Sequence, residues 1–221
     1  MHSARGSGLR LFHMSDRLLK GFPLFPLGIV ALPTESVPLH IFENRYRTMI
    51  ERCLQEEREF GIVWMAEDEL KPIGCACAID EVLERMDDGR MNILARGTRP
   101  FRLLERQEDL PYPAGVVEFL AEHDDEVDPE VARGARELYA ELVEQATDKT
   151  LAAEELAEFD SYRMAATVEF GTDAKQELLE LRSESARLQL LTMLFRAAIK
   201  RIELVERAQT RARSNGKVRF G

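Results

Sequence analysis

The chain has 221 residues, 45% of them hydrophobic and 32% charged, with a formal net charge of −10. A chain this long buries roughly 70% or more of its unfolded surface, so it needs no disulfide framework, and its odd set of cysteines, Cys53, Cys75 and Cys77, fits a reducing cytoplasm. The acidic balance gives no overall attraction to phosphate backbones, no run of about 18 apolar residues offers a membrane span, and the N-terminus lacks the apolar region and cleavage site of a secretory signal.

Residues 1–20, with Ser3, Gly6, Ser7 and Gly8 close together, read as a flexible tail, and the functional chain is expected to begin near Met14. Next come Gly21 to Pro33 and then Pro38 to Tyr46, two apolar stretches punctuated by proline. Each proline fixes its own φ and pushes the residue before it to extended geometry, which excludes helix at Phe22, Phe25, Leu32 and Val37 and predicts an opening strand. From Asn44 to about Arg58, Tyr46, Met49, Ile50, Cys53 and Leu54 recur at helical spacing. Phe60 to Met65 reads as a buried strand. In the following strand Ile73, Cys75, Cys77 and Ile79 alternate with Gly74, Ala76, Ala78 and Asp80, so one face is nearly bare, as if a neighbour packed closely against it. Asp88-Gly89 predicts a hairpin between 82–86 and 91–96, and Tyr112 to Leu120 reads as a further strand.

After the acidic run 121–128 the apolar period changes from two to 3.6, which puts the boundary between a subdomain at 21–122 and a helical one at 123–221. Asp128 and Pro129 are suited to cap and open a helix burying Val131, Ala135, Leu138, Leu142 and Ala146. Helical segments are predicted at 151–159 and 160–170, and after Gly171 around Leu178, Leu179 and Leu181. A long last helix is predicted from about Glu184 to Arg213, carrying Leu188, Leu191, Leu194, Phe195, Ala198, Ile202 and Val205, with Asn215-Gly216 as terminator.

The pattern F-P-L-F-P-L-G-x-V-x-L-P over 22–33, P-L-x-I-F-E-x-R-Y over 38–46 and G-x-R-x-F over 97–101 resembles the N-terminal substrate-binding domain of Lon proteases. The resemblance runs from about Phe22 to Arg213, and it implies that Gly97 to Leu104 turns the chain into its next strand. It implies an α+β fold: a PUA-like β-barrel with one inserted helix, followed by a C-terminal helical bundle ending in a long helix. It also implies a module that recognises unfolded or exposed apolar polypeptide segments and works beside a protease or chaperone, without the family's ATPase and peptidase domains. The residues that carry the motif, Phe25, Pro26, Leu27, Pro33, Pro38, Leu39, His40, Phe42, Glu43, Arg45, Tyr46, Arg99 and Phe101, are the candidates for polypeptide contact. Core packing is the default for the aromatic ones, and the seam between barrel and helices is the expected place for a groove.

No catalytic, cofactor or metal residue is assigned from the sequence. The Gly216-Lys217 pair has Arg211 where a phosphate loop needs its first glycine and Val218 where it needs a hydroxyl. Histidines occur only at 2, 13, 40 and 123, with no H-E-x-x-H. Cys75-x-Cys77 lies in an apolar strand and is too closely spaced for the usual zinc loop. His40 with Glu43 is a conceivable acid–base pair, but capping, or pairing of Glu43 with Arg45 or Arg47, explains the carboxylate, and no nucleophile accompanies it. The rivals to polypeptide recognition are RNA binding through the C-terminal end, where eight cations stand against two carboxylates between Arg196 and Gly221, and an accessory peptidase, for which the sequence offers neither a catalytic dyad nor an ATP site.

Overall fold

The computed structural model describes residues 18–67, 69–123 and 126–215; the expected start near Met14 lies outside them, as does Gly216. In chain order the elements are β1 (Leu18–Leu27), β2 (Ser36–Ile41), α1 (Asn44–Gln55), β3 (Phe60–Ala66), β4 (Glu69–Leu70), β5 (Ile73–Arg85), β6 (Met91–Gln107) and β7 (Ala114–Phe119). The helices α2 (Pro129–Thr147), α3 (Ala153–Ala157), α4 (Ser161–Ala165), α5 (Thr172–Glu180) and α6 (Glu184–Asn215) follow. This is the α+β order expected: strands with one inserted helix, then helices.

The sheet runs β1-β7-β6-β5-β3, and β3 pairs back onto β1 in parallel register, Leu24 opposite Gly61 and Leu27 opposite Trp64, so five strands close a ring. The bare face of β5 looks into that ring. A Cβ on Gly74 would lie 2.7 Å from Phe101 Cζ, and one on Gly61 would lie 2.5 Å from the same atom. Phe101 therefore fills the space those glycines leave, in a cluster with Phe22, Leu24, Val63, Ala76 and Val117. Phe22 meets the Phe101 ring edge-on at 5.4 Å, a favoured aromatic geometry.

The other face of the same strands, with Phe25, Ile62, Ile73, Cys75 and Cys77, belongs to one apolar cluster that continues through Tyr46, Met49 and Ile50 of α1 into Leu178, Leu179, Leu191 and Phe195 of the helices. Polar contacts tie the same layers. Gln176 Nε2 donates to the Ile73 carbonyl at 3.1 Å, and Lys175 of α5 pairs with Glu35, whose other carboxylate oxygen accepts from Leu32 N at 2.9 Å. Among the described residues strand β2 pairs only with β6, Ser36 opposite Arg96 to Ile41 opposite Met91, and its other edge has no strand partner.

Several expected boundaries move. Leu18 to Lys20, read as tail, already pair with β7, Leu18 opposite Glu118 and Leu19 opposite Val117, before a register shift near Gly21. The chain does not step into a new strand at Gly97; β6 runs unbroken through Pro100 and absorbs the change in bulges against β5. The segments 151–159 and 160–170 form only the five-residue helices α3 and α4. In α2 the buried positions are Ala132, Ala135, Tyr139 and Leu142, while Val131 and Leu138 are half-buried and Ala146 exposed. Val205 of α6 is likewise exposed.

Asp128 caps α2 as its sequence suggests, accepting from Glu130 N at 2.9 Å with Pro129 at the first helical position. Asp128→Ala is expected to cost about 1 kcal/mol and to lower the melting temperature by about 2–4 °C in a thermal scan. An unchanged transition would mean that the end of α2 frays without consequence.

Candidate functional site

The motif residues do not converge on one place. Phe25, Pro33, Leu39, Tyr46 and Phe101 are buried in the core. Phe25 lies against Tyr46 with ring centroids 4.2 Å apart, which fixes β1 on α1. Pro26 and Leu27 are half-buried, as is Glu43, whereas Pro38, His40, Phe42, Arg45 and Arg99 are exposed.

His40 and Glu43, the conceivable acid–base pair, are engaged elsewhere. His40 Nδ1 is hydrogen-bonded to Asn92 Oδ1 at 2.7 Å, and its ring stacks on Phe42. Glu43 stands at the N-cap of α1 but caps no backbone N–H through its side chain; its Oε2 accepts from Arg45 Nε at 3.0 Å. Arg99 donates to Glu59 at 2.9 Å and lies 3.9 Å over the Phe119 ring. The cysteines are core residues. Burial pushes the Cys53 thiol up to about 11 and holds Cys75 well above its ordinary value, while the Cys75 and Cys77 thiols turn to backbone carbonyls. At neutral pH the Cys53 and Cys75 thiols are protonated and behave as small hydrophobes.

Along the seam between strands and helices the apolar surface belongs to the continuous core, and a hollow of about 390 Å³ beside α6 is lined by Val127, Ala132, Tyr162 and Leu188 together with Glu122, Arg136, Asp160, Glu184 and Arg187. Arg187 is a buried cation, 1% exposed, that no periodicity argument singles out. Its guanidinium donates to Ser161 Oγ at 2.8 Å, to Glu184 at 2.9 Å, to Glu122 at 2.6 Å and to the Leu181 carbonyl at 3.0 Å, and it lies 4.3 Å over the Tyr162 ring. Burial works to lower the Arg187 pKa, but its neighbours, among them Glu122 and Glu184, outweigh it and hold the group above its ordinary value.

An open cleft of about 440 Å³ lies instead on the strand layer, between the end of β1, the first turn of α1, the β3–β4 corner and the β6–β7 connection. Leu24, Pro26, Tyr46, Met65, Leu70 and Leu110 supply its apolar surface. Pro26, Arg45 and Tyr46 are the only motif candidates it gathers; Met65, Leu70 and the 106–114 residues carry no motif signal, and only the topology brings them together. The Arg45 guanidinium, held by Glu43, sits 4.6 Å over the Tyr46 ring at the cleft's lip. The Tyr46 phenol is raised by burial, against the lowering effect of Arg45. Tyr112 also lines the cleft; its buried Oη interacts with the Arg52 guanidinium. The polar groups on offer are guanidinium, carboxylate, amide and phenol, a set that orients a ligand between apolar contacts. Among the described residues no group of three or more His, Cys, Asp or Glu is arranged to hold a metal ion, and no helix is long and apolar enough to cross a membrane.

The chain is similar to known proteins over this whole region. It is 25% identical over 187 residues to the Lon protease of Anaeromyxobacter dehalogenans (strain 2CP-C), a stretch that is 76% of this chain and 22% of that protein, so the chain spans about a fifth of that relative's length. The crystal structure of a Lon N-terminal domain protein from Xanthomonas campestris superposes with a TM-score of 0.60 at 26% identity, covering 78% of this chain and 97% of that one. The N-terminal domain of the Mycobacterium avium complex Lon protease gives 0.61 at 20% identity, covering 80% and 98%, a likeness of fold. The profile of the ATP-dependent protease La (LON) substrate-binding domain matches residues 21–197, both the strand ring and the helices packed on it, and the chain belongs to that family.

Proposed function

We propose that the chain is a polypeptide-recognition module whose contact site is the cleft of Leu24, Pro26, Tyr46, Met65, Leu70 and Leu110, and that it acts by binding rather than by bond cleavage. The observation that carries this reading is the cleft's composition: an apolar floor flanked by a few fixed polar groups. Family membership supports the same class of ligand, since the domain is named for substrate binding. Burial of an apolar client side chain supplies about 25 cal/mol per Å² before the entropy of ordering is subtracted. A protease or a chaperone is the partner to which such a module hands its client, and the subdomain at 21–122 carries the contact while 123–221 braces it.

Fluorescence anisotropy with a labelled peptide centred on Phe, Leu and Val tests this. Met65→Asp and Leu70→Asp are each expected to weaken binding about tenfold, the loss of roughly 1.4 kcal/mol of apolar contact, whereas Leu204→Asp on the exposed side of α6 leaves it unchanged. Equal affinities for all three variants would move the site elsewhere. RNA binding through α6 is the alternative reading, supported by exposed Arg196, Lys200 and Arg201. It predicts affinity for RNA that falls steeply with salt, while the apolar peptide is much less salt-sensitive.

A further inference from the structure

The two guanidiniums on the cleft differ in a way that bears on what enters it. Arg45 is held in place, bonded to Glu43 at 2.9 Å and resting on the Tyr46 ring. Arg106 also lines it, exposed on β6, and its guanidinium makes no hydrogen bond or ion pair among the described residues. Its neighbour Gln107 is committed, accepting from Gly21 N at 2.8 Å. Glu108 is the cleft's one carboxylate, so the lining carries two cations to one anion in a chain whose net charge is −10. The cleft thus has an apolar floor with Arg45 already neutralised by Glu43, which leaves Arg106 as the lining cation without an ion pair among the described residues.

Resting on the recognition reading above, we infer that the cleft selects apolar polypeptide segments flanked by Asp or Glu, the flanking carboxylate pairing with Arg106 while the apolar side chain packs between Tyr46, Met65 and Leu70. The fork of donors on Arg106 suits a carboxylate. An exposed pair of this kind is modest and screened by salt, so the effect is one of selectivity, with the apolar floor supplying most of the affinity.

The test uses three labelled peptides with one Phe-Leu-Val centre flanked by aspartates, serines or lysines, titrated by anisotropy against the whole chain at low and high salt. The aspartate peptide is expected to bind about two- to fivefold more tightly than the serine peptide, the lysine peptide more weakly than either, and the differences to shrink as salt rises. Arg106→Glu is expected to reverse the order of the aspartate and lysine peptides while leaving the serine peptide within twofold; Arg106 is exposed, so the variant folds. Equal binding of all three peptides overturns the charge selectivity and leaves the recognition reading standing. Binding of none of them overturns both. An order preserved in Arg106→Glu overturns the assignment to this residue.

Discussion

Arg187→Ala is expected to lower the free energy of unfolding by about 3–5 kcal/mol, the range for removing one partner of a buried ion pair. The side chain is 1% exposed and joins three parts of the chain: Glu122 in the linker after β7, Ser161 and Tyr162 of α4, and Glu184 in its own helix. Its loss leaves Glu184 without its cation and empties the space over the Tyr162 ring. Ser161 stays bonded to Glu184 through its hydroxyl at 2.5 Å and its N–H at 2.8 Å, but that carboxylate is then a half-buried charge with no compensation. Urea denaturation is the measurement. Arg207→Ala, which breaks an exposed pair with Glu203, is the control and costs at most about 0.5 kcal/mol. A loss for Arg187→Ala of less than about 1 kcal/mol would mean that the cluster relaxes around the gap.

The second large effect is expected at Gly97. A Cβ there would lie 2.0 Å from the Leu32 carbonyl oxygen, a backbone atom that cannot swing aside. Two hydrogen bonds fix the approach, Thr34 N to the Gly97 carbonyl at 2.8 Å and Gly97 N to the Glu35 carbonyl at 2.9 Å. Thr34 sits at φ 68 to complete the turn. Gly97→Ala must push the 32–35 loop away, and with it Glu35 and its ion pair to Lys175 of α5. A loss of about 3 kcal/mol is expected, with the helices loosened along with the strand layer. Gly134→Ala reverses the sign: in α2 an added Cβ meets nothing within 4 Å, so the better helix former stabilises by about 0.5–1 kcal/mol. Both are read from the same denaturation curves. A mild Gly97→Ala would show that the loop can retreat while keeping its hydrogen bonds.

These positions also mark where sequence reading succeeds and stops. Local rules were enough for α1, for the Asp88-Gly89 hairpin and for the cap of α2, because each depends on residues within a few positions of one another. The bare face of β5 was legible, but its filler, Phe101, lies across the ring and comes from pairing rather than spacing. Leu18 to Lys20 carry no strong strand signal; pairing with β7 alone makes them strand. Helices α3 and α4 were overdrawn because a short apolar recurrence cannot reveal that Phe159 and Met164 are buried by a chain that turns between them. Arg187 stayed hidden since a cation on a helix is read as solvated until its partners, far apart in sequence, are known. The cleft was missed for a related reason: of its apolar residues only Leu24, Pro26 and Tyr46 lie in a motif.

The open edge of β2 has one further consequence. Pro38 stands in the middle of that strand and offers no N–H to either side, so a second sheet cannot zip along it without leaving a rung missing. With this rung absent, the protein's own rim is a poor seed for stacking into fibrils.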